Sequence, residues 1–373
     1  MKENTYKKWE VTVIVAIIII VLAIFFAVLY VNFAGHKEAS VLPNDTESEK
    51  STDSESLTES ETTHITETEL VTTAPQSEPI FDMPPEERIQ AELDERCLEI
   101  ISWLEASVPR YHQEAETDAE GLEIKPAQEY TPPVAFYYQD LATGCSMAYN
   151  ADHVFYTASI IKEPYVLWVL GEIEKAEAEG TAAGTKFDVL SEFVYTEDKY
   201  RSGSGVIQKS EFGTVYTYLD LLKLSITQSD NVAFAEIRNI YGRAGFNAFS
   251  EKLGVSSTKK SLYSASAREM GAYLWETYSF FESGSDYAEM LKGWMLDTNH
   301  RIMIPRAVSP VRAANKYGWD LEAYHDMAIV FDDNPYLLVI MTELDNGSGA
   351  DNSFIRELAG KINDAHCEIL GDK

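Results

Sequence analysis

The feature that most constrains this chain is an uncharged run of 23 residues, Val11 to Phe33. Folded as a helix, such a run spans about 35 Å, enough to cross a hydrocarbon core of about 30 Å. Lys2, Lys7 and Lys8 precede it, and acidic residues dominate the segment after it. The positive-inside rule therefore predicts residues 1–10 in the cytoplasm, a transmembrane anchor at 11–33 and the rest outside the cell. A cleaved signal peptide is the alternative, but its apolar region is usually shorter, about 7–15 residues.

The segment after the anchor, residues 34–84, consists largely of Ser, Thr, Glu and Asp. It has almost nothing to bury, which predicts a disordered tether that holds a folded domain away from the membrane. The whole chain of 373 residues carries a net charge of −31. A nucleic-acid-binding protein needs a basic surface, so this charge excludes that class of partner.

Residues 85–373 have the pattern of one mixed domain. A helix is predicted to begin at Pro84–Pro85 and to run through Leu104, and a last helix spans Ser353 to Ile369. Between them the pattern predicts strands at Val134–Asp140, Ser146–Tyr149, Ala313–Trp319, Ala328–Phe331 and Tyr336–Thr342, and helices at Ser159–Ala178 and across Tyr218–Trp294. Strands near both ends with helices between them predict a sheet assembled from distant segments.

The cysteines do not form a metal-binding pattern. Cys97, Cys145 and Cys367 lack any CxxC spacing, and the sequence contains no HExxH. We therefore expect neither a metal nor another cofactor. Cys97 and Cys367 fall on the two terminal helices, where either a disulfide or two separate buried thiols is compatible with the sequence.

Three short motifs contain the residues suited to catalysis. The first is Ser159-Ile160-Ile161-Lys162, in which the i to i+3 spacing places the serine and the lysine on one helix face. The lysine, if desolvated, can act as a base beside a serine nucleophile. An isolated S-x-x-K is ordinarily a capping serine with a surface lysine, and chance copies begin at Ser256 and Ser257.

The other two motifs are also ordinary when taken alone. Ser229-Asp230-Asn231 is typical of a turn that begins a helix. Lys316-Tyr317-Gly318 places a lysine at the start of a strand pair, as edge strands often do.

Taken together and in this order, the motifs resemble the S-x-x-K, S-D-N and K-T-G pattern of class A β-lactamases and penicillin-binding proteins. The resemblance extends over roughly Glu86 to Leu370. It includes Thr157-Ala158, Ser266-Ala267-Arg268-Glu269-Met270, the segment Asn299 to Ala307 and the strand from His325 to Val330. It implies a β-lactamase/transpeptidase-like α/β (α+β) fold, with an antiparallel sheet flanked by helices and an all-helical lobe.

The resemblance also implies roles for individual residues. Ser159 is the acylated nucleophile, Lys162 activates it, and Ser229 passes a proton to the leaving nitrogen. Asn231 binds the substrate amide. The strand residues Lys316, Tyr317, Gly318 and Trp319 form the substrate-binding edge, with Lys316 attracting a carboxylate. The N–H groups of Ser159 and Trp319 form the oxyanion hole.

Two departures from the family pattern bear on function. Tyr317 stands where the family has a threonine that helps to bind the substrate carboxylate. In addition, residues 245–265 are too short to contain the loop whose glutamate activates the deacylating water in class A enzymes. Glu251 is the one acidic residue in this segment. Either Glu251 or Lys162 could position the deacylating water in place of the missing glutamate. The sequence thus predicts slow deacylation.

A Ser-His-Asp triad using His325 and Asp326 is excluded, because neighbouring strand residues point to opposite faces. The glycine-rich segment 201–205 lacks the ending of a phosphate-binding loop and is expected to border the cleft.

The sequence therefore predicts a membrane-anchored extracellular serine hydrolase. Its substrate is a β-lactam or a cell-wall peptide amide, and it contacts the lipid bilayer through residues 11–33. A D-alanyl-D-alanine peptidase of peptidoglycan remains an alternative, as does a non-catalytic module that binds or senses the wall through the same cleft.

Overall fold

The computed structural model describes residues 84–119, 122–344 and 352–371. The predicted cytoplasmic segment, the predicted anchor and all but the last residue of the predicted tether lie outside these ranges. Within them, no helix combines the length and the apolar character needed to span a bilayer.

The helices alternate with short connections through most of the described chain. They are α1 (Pro85–Ser107), α2 (Lys162–Ala178), α3 (Tyr218–Thr227), α4 (Asn231–Tyr241), α5 (Ala244–Lys252), α6 (Ser257–Lys260), α7 (Ala267–Glu282), α8 (Asp286–Leu296), α9 (Ile304–Ala307) and α10 (Asn352–Leu370). A 3-10 turn, Ala158–Ile161, leads directly into α2.

The strands are shorter near the beginning of the domain and longer near its end. They are β1 (Tyr111–Gln113), β2 (Glu116–Thr117), β3 (Glu123–Lys125), β4 (Gln128–Tyr130), β5 (Val134–Asp140), β6 (Ser146–Tyr149), β7 (Val154–Tyr156), β8 (Glu192–Val194), β9 (Val215–Thr217), β10 (Ser264–Ser266), β11 (Arg312–Asp320), β12 (Ala323–Phe331) and β13 (Tyr336–Thr342).

A five-stranded antiparallel sheet in the order β11-β12-β13-β5-β6 forms the centre of the domain. The predicted assembly from distant segments is confirmed, because β13 pairs with β5 along its whole length. The strand predicted from hydropathy at Ala328–Phe331 was too short, since β12 begins at Ala323, whereas the resemblance correctly placed His325 to Val330 on a strand. The reason is that His325 and Asp326, which look unsuited to a strand interior, are fully buried and hydrogen-bonded there.

Apolar side chains cover both faces of this sheet. On one face they pack against the helical lobe, including Val166 and Leu221. On the other face they pack against α1 and α10, including Leu93 and Leu358. Antiparallel sheets with both faces covered contain nearly continuous apolar runs, as in β13, where every residue is buried.

The two terminal helices α1 and α10 pack together, as expected from the sequence. Cys97 and Cys367 are nevertheless both free thiols. Cys97 is buried and its Sγ approaches the carbonyl oxygen of Ala148 at 3.7 Å, whereas Cys367 is exposed. The interpretation as two buried thiols is therefore correct for Cys97 and wrong for Cys367.

The start of α7 illustrates how the local sequence determines an element boundary. Ser266 is the N-cap, and its hydroxyl accepts from the Glu269 backbone N–H. The Glu269 carboxylate accepts from the Ser266 N–H at 3.0 Å, which completes a capping box. The same carboxylate accepts from the N–H groups of Ser256 and Ser257. The two serines that begin chance copies of the S-x-x-K pattern, Ser256 and Ser257, thus help to hold the start of α7.

Candidate active site

Ser159 lies on the 3-10 turn that begins α2, half-buried at the wall of a cleft of about 470 Å³. The preceding residue, Ala158, has φ of +45°, a left-handed conformation that is uncommon for any residue with a Cβ. Such backbone strain concentrates at functional positions, where the surrounding fold holds it in place. The turn therefore fixes how the Ser159 hydroxyl is presented to the cleft.

Lys162 is the first residue of α2 and is 2% exposed. Its Nζ donates to the backbone oxygen of Ser229 at 2.6 Å and to Asn231 Oδ1 at 2.8 Å, and it lies 3.3 Å from Ser229 Oγ. Among the described residues, no hydrogen bond joins Lys162 Nζ to Ser159 Oγ. Catalytic hydrogen bonds are often long before substrate binds and tighten in the complex.

Ser229 lies between α3 and α4, and Asn231 is the first residue of α4. Ser229 has φ of +50°, and this left-handed residue turns the chain so that its carbonyl reaches Lys162. Asp230 is the N-cap of α4, and its Oδ1 accepts from the N–H groups of Val232 and Ala233, both at 2.9 Å. Asp230 Oδ2 also accepts from the N–H groups of Val206 and Ile207. The middle residue of the motif therefore fixes the positions of its two neighbours and of the glycine-rich segment.

Lys316 brings β11 into the same group. Its side chain is fully buried, and its Nζ donates to Ser229 Oγ at 3.1 Å and to the backbone oxygen of Tyr317 at 2.8 Å. Ser229 Oγ is thus in contact with both Lys162 and Lys316. The structure brings together the residues of all three motifs, which lie far apart in the sequence.

Burial dominates the electrostatics of these lysines. It lowers the pKa of Lys162 to about 7; the charges of Asp230 and Asp320 oppose this shift, and that of Arg238 adds to it. Burial also lowers the pKa of Lys316 well below its usual value, and the charge of Lys162 contributes in the same direction. A lysine with a pKa near 7 is partly neutral at neutral pH and can accept a proton.

Tyr317 covers the corner formed by Ser229 and Lys316. It is 8% exposed, its ring centre lies 4.3 Å from Lys316 Nζ, and it packs against the His300 ring at 4.2 Å. Burial raises the pKa of Tyr317, while hydrogen-bond interactions with Ser229 and Ser204 lower it. The described residues that line the open cleft do not include Ser229, Lys316 or Tyr317.

Gly318 allows β11 to lie directly against the turn that carries Ser159. A Cβ atom at Gly318 would lie 2.9 Å from the Thr157 carbonyl oxygen and 3.0 Å from the Ile160 nitrogen. The next residue, Trp319, lines the cleft together with Ser159. The close approach is consistent with the predicted oxyanion hole from the N–H groups of Ser159 and Trp319.

Other cleft residues were missed by the sequence analysis. Phe234 and Arg238 reach the cleft from α4, and Tyr263 reaches it from the short segment between α6 and β10. Tyr156 and Asp320 close another side, where the Tyr156 hydroxyl donates to Asp320 Oδ2 at 2.8 Å. The i+3 and i+7 spacing of Phe234 and Arg238 from Asn231 was the available signal.

The expected position of the glycine-rich segment is confirmed, because Arg201, Ser202, Gly203 and Ser204 line the cleft. Ser202 O accepts from Asn231 Nδ2 at 2.9 Å, and a Cβ at Gly203 would come within 2.6 Å of that same nitrogen. The glycine is therefore required where this segment crosses α4.

The alternative catalytic groups lie elsewhere. His325 Nδ1 accepts from the Thr342 N–H at 3.0 Å, and its Nε2 contacts the Tyr156 carbonyl oxygen at 2.8 Å. Asp326 instead accepts from the Ile304 N–H, so the two residues have separate partners and form no triad. Glu251 is exposed, forms an ion pair with Lys259 at 2.9 Å and does not line the cleft.

Comparison with known proteins identifies the family. A family model described as the β-lactamase enzyme family matches residues 122–366. The chain belongs to this family. The resemblance found in the sequence is thereby confirmed, and the protein is a β-lactamase-family serine hydrolase.

Solved structures share the β-lactamase-like fold of this chain. A mutant of PBP-A, in an acyl-enzyme complex with penicillin G, is 19% identical with a TM-score of 0.58, covering 74% of this chain and 97% of PBP-A. A β-lactamase from Streptosporangium roseum is 20% identical with a TM-score of 0.57, covering 73% and 98% of the two chains. An ancestral class A β-lactamase is 20% identical with a TM-score of 0.54, covering 63% and 94%. The sequence matches no curated protein.

Proposed function

We propose that this β-lactamase-family protein is a membrane-anchored extracellular serine hydrolase that transfers acyl groups through Ser159. The observation that carries the proposal is the position of Ser229 Oγ, 3.3 Å from Lys162 Nζ and 3.1 Å from Lys316 Nζ. Ser159 and Lys162 line the cleft, and Lys162 contacts Ser229, which in turn contacts Lys316. This group offers a nucleophile, a buried base, a proton shuttle and a second lysine.

This arrangement supports the following acylation step. Neutral Lys162 accepts the Ser159 hydroxyl proton as Ser159 Oγ forms a bond to the substrate carbonyl carbon. The N–H groups of Ser159 and Trp319 stabilise the developing oxyanion. The carbon–nitrogen bond then breaks, the leaving nitrogen takes a proton from Ser229 Oγ, and Lys162 returns a proton to Ser229. The contact between Lys162 and Ser229 makes this return direct.

None of the described cleft residues takes the place of the glutamate that class A enzymes use for deacylation. Among the described cleft residues Asp320 is the one acid, and its Oδ2 already accepts from the Tyr156 hydroxyl. The segment between α6 and β10 contributes Tyr263 to the cleft instead of a glutamate. We therefore expect a chromogenic β-lactam to give a burst of one equivalent of product followed by slow turnover.

Labelling with a fluorescent penicillin tests the nucleophile in the full chain, purified in detergent. The wild-type protein is expected to gain the mass of one adduct on the peptide containing Ser159. Ser159→Ala is expected to abolish labelling, and Ser257→Ala, at a chance copy of the S-x-x-K pattern, is the matched control that retains it. Labelling that survives Ser159→Ala would overturn the proposed nucleophile.

The alternative functions predict different results with such probes. Slow β-lactam release combined with rapid cleavage of a D-alanyl-D-alanine peptide or ester would favour a wall peptidase. A folded protein that no acylating probe labels would favour a non-catalytic module that binds or senses the wall.

The membrane location rests on residues 11–33 and on the lysines before them. Protease added to intact cells is expected to remove the domain from residue 85 onward and leave a short anchored fragment. Protection of the domain until the membrane is permeabilised would reverse the proposed topology.

A further inference from the structure

One face of α4 forms a continuous wall of the cleft. Asn231, Phe234, Ala235 and Arg238 all line it, at the i, i+3, i+4 and i+7 positions of one helical row. Seven residues of helix rise about 10 Å, so this row extends about two turns from the amide-binding residue Asn231 to the guanidinium of Arg238.

Arg238 has no partner for its charge within the described chain. Its guanidinium carbon lies 5.4 Å from the Phe234 ring centre and 5.7 Å from that of Tyr263. Its Nε is buried without a hydrogen-bond acceptor, and no ion pair of the described residues includes Arg238. A guanidinium offers five donors, and its preferred partner in such a setting is a carboxylate held by two parallel hydrogen bonds.

The other basic side chains near Ser159 already have hydrogen-bond partners. Lys162 bonds to Ser229 and Asn231, and Lys316 lies beneath Tyr317, outside the open cleft. Arg201 at the rim donates to the backbone oxygens of Asp198 and Tyr200. Arg238 is therefore the cleft cation whose hydrogen-bonding capacity is left for a ligand.

We propose that Arg238 binds a carboxylate on the acyl side of the substrate, about two helical turns from the amide that Asn231 holds. The substrate class is an N-acyl amino acid or peptide whose acyl group carries this carboxylate. The inference rests on the proposed function in one respect: acyl transfer to Ser159, with the substrate amide on Asn231, determines which end of the substrate faces Arg238. It assigns recognition of the acidic group to Arg238, which lines the cleft, and not to Lys316, which does not.

Two thioester probes that differ in one charge test this proposal. Both are N-acyl-alanyl thioesters with the same neutral thiol leaving group. One carries a glutaryl group with a free terminal carboxylate, and the other carries the methyl ester of that group. In each reaction Ser159 Oγ bonds to the thioester carbonyl carbon, the carbon–sulfur bond breaks, and the thiol leaves with the proton that Ser159 loses. The released thiol is measured with the full chain.

The expected wild-type result is an acylation rate constant about tenfold higher for the carboxylate probe than for its ester. Arg238→Gln is expected to bring that ratio close to one. Arg306→Gln, at an exposed arginine of α9 outside the cleft, is the control that keeps the wild-type ratio. Because each ratio is internal to one variant, a partial loss of folded protein cancels. A wild-type ratio near one, or an unchanged ratio in Arg238→Gln, would overturn the inference.

A binding experiment separates this inference from the proposed function. Ser159→Ala cannot be acylated, but calorimetry is expected to show about tenfold tighter binding of the carboxylate probe than of the ester. The double variant with Arg238→Gln is expected to lose the difference. If neither probe reacts with the wild type while this preference persists, the proposed reaction fails and the inference stands. Equal binding of both probes to Ser159→Ala contradicts the inference.

Discussion

The Lys316 ammonium lies 4.3 Å from the ring centre of Tyr317, the residue that comes after it in β11. The tyrosine in turn packs on His300, and the three groups form a stack that covers Ser229. The resemblance assigns this corner to the substrate carboxylate. In this protein an aromatic ring fills the space where the family has a small hydroxyl-bearing side chain.

Replacing Tyr317 by threonine is expected to open this corner. Acylation of Ser159 by penicillin G, whose carboxylate could then reach Lys316, is expected to become at least about tenfold faster. The matched control is Tyr317→Phe, which keeps the ring, removes the hydroxyl and is expected to leave the corner covered. Stopped-flow fluorescence with a labelled penicillin measures both rates. Equal rates in the threonine variant and the wild type would show that the ring does not obstruct the β-lactam.

Acylation is expected to rise with pH through an apparent pKa of about 7. Burial lowers the pKa of Lys162 to about that value, and the neutral amine is the form that accepts the Ser159 proton. Below this pKa the acylation rate constant should fall about tenfold per pH unit.

The measurement is the second-order labelling rate between pH 5.5 and about 9, with circular dichroism at each pH to confirm that the protein stays folded. Glu163→Gln is a useful control, because it removes a neighbouring buried acid whose pKa lies at about 8. The acidic limb should persist in that variant. A rate independent of pH across this range would exclude Lys162 as the base.

Gly318→Ala is expected to reduce acylation by at least about tenfold, since a Cβ would force β11 away from the turn that carries Ser159. The cost to folding should be about 1–3 kcal/mol. Gly360→Ala is the matched control, because this glycine lies within α10 and its Cβ would meet open space. That change should stabilise the fold by up to about 1 kcal/mol and leave labelling unchanged. An alanine at 318 without effect would mean that the strand and the turn can separate freely.

Glu163 is expected to make stability depend on pH. It is fully buried, its Oε1 accepts from the Thr277 hydroxyl at 2.7 Å, and its Oε2 has no hydrogen-bond partner among the residues that the structure describes. Burial raises its pKa to about 8, compared with 4.5 for an exposed glutamate. The folded state therefore holds the proton more tightly than the unfolded state. Its contribution is fully present below pH 4.5 and is lost as the pH rises to about 8.

The free energy of unfolding of the wild type, relative to Glu163→Gln, should thus fall by up to about 1.4 kcal/mol per pH unit across that interval. Urea titrations at several pH values measure the difference. Parallel stability curves for the two proteins would show that Glu163 ionises normally in the fold.

Much of the sheet could be predicted because its strands are dominated by apolar residues. The predicted bounds of β5, β6 and β13 match the structure. The strand over His325 and Asp326 followed from the family resemblance and not from hydropathy, because these two residues are buried only through partners supplied by Tyr156, Thr342 and Ile304. Hydrogen bonds from residues far away in the sequence make this burial possible, and local hydrophobic periodicity cannot show them.

The motif residues could be placed at one site because their order and spacing resemble a known pattern. Arg238 could not, because a lone arginine seven residues after Asn231 is ordinarily a solvated helix residue. Its position depends on Tyr263, which comes from a different segment and packs beside it. The covering of Lys316 by Tyr317 was equally hidden, since the sequence shows the substitution but not the His300 ring that holds the tyrosine in place.

The pairing of β5 with β13 also determines when the protein becomes active during synthesis. Ser159, Lys162 and Ser229 leave the ribosome well before β11 and Lys316, and β11 reaches its position only through β12 and β13. A nascent chain therefore carries Ser159 while more than a third of the sequence is still to be made before the strand that would complete the proposed oxyanion hole. Long-range pairings of this kind form late in folding. We therefore expect messages cut short before β13 to yield polypeptides that a labelled penicillin does not acylate.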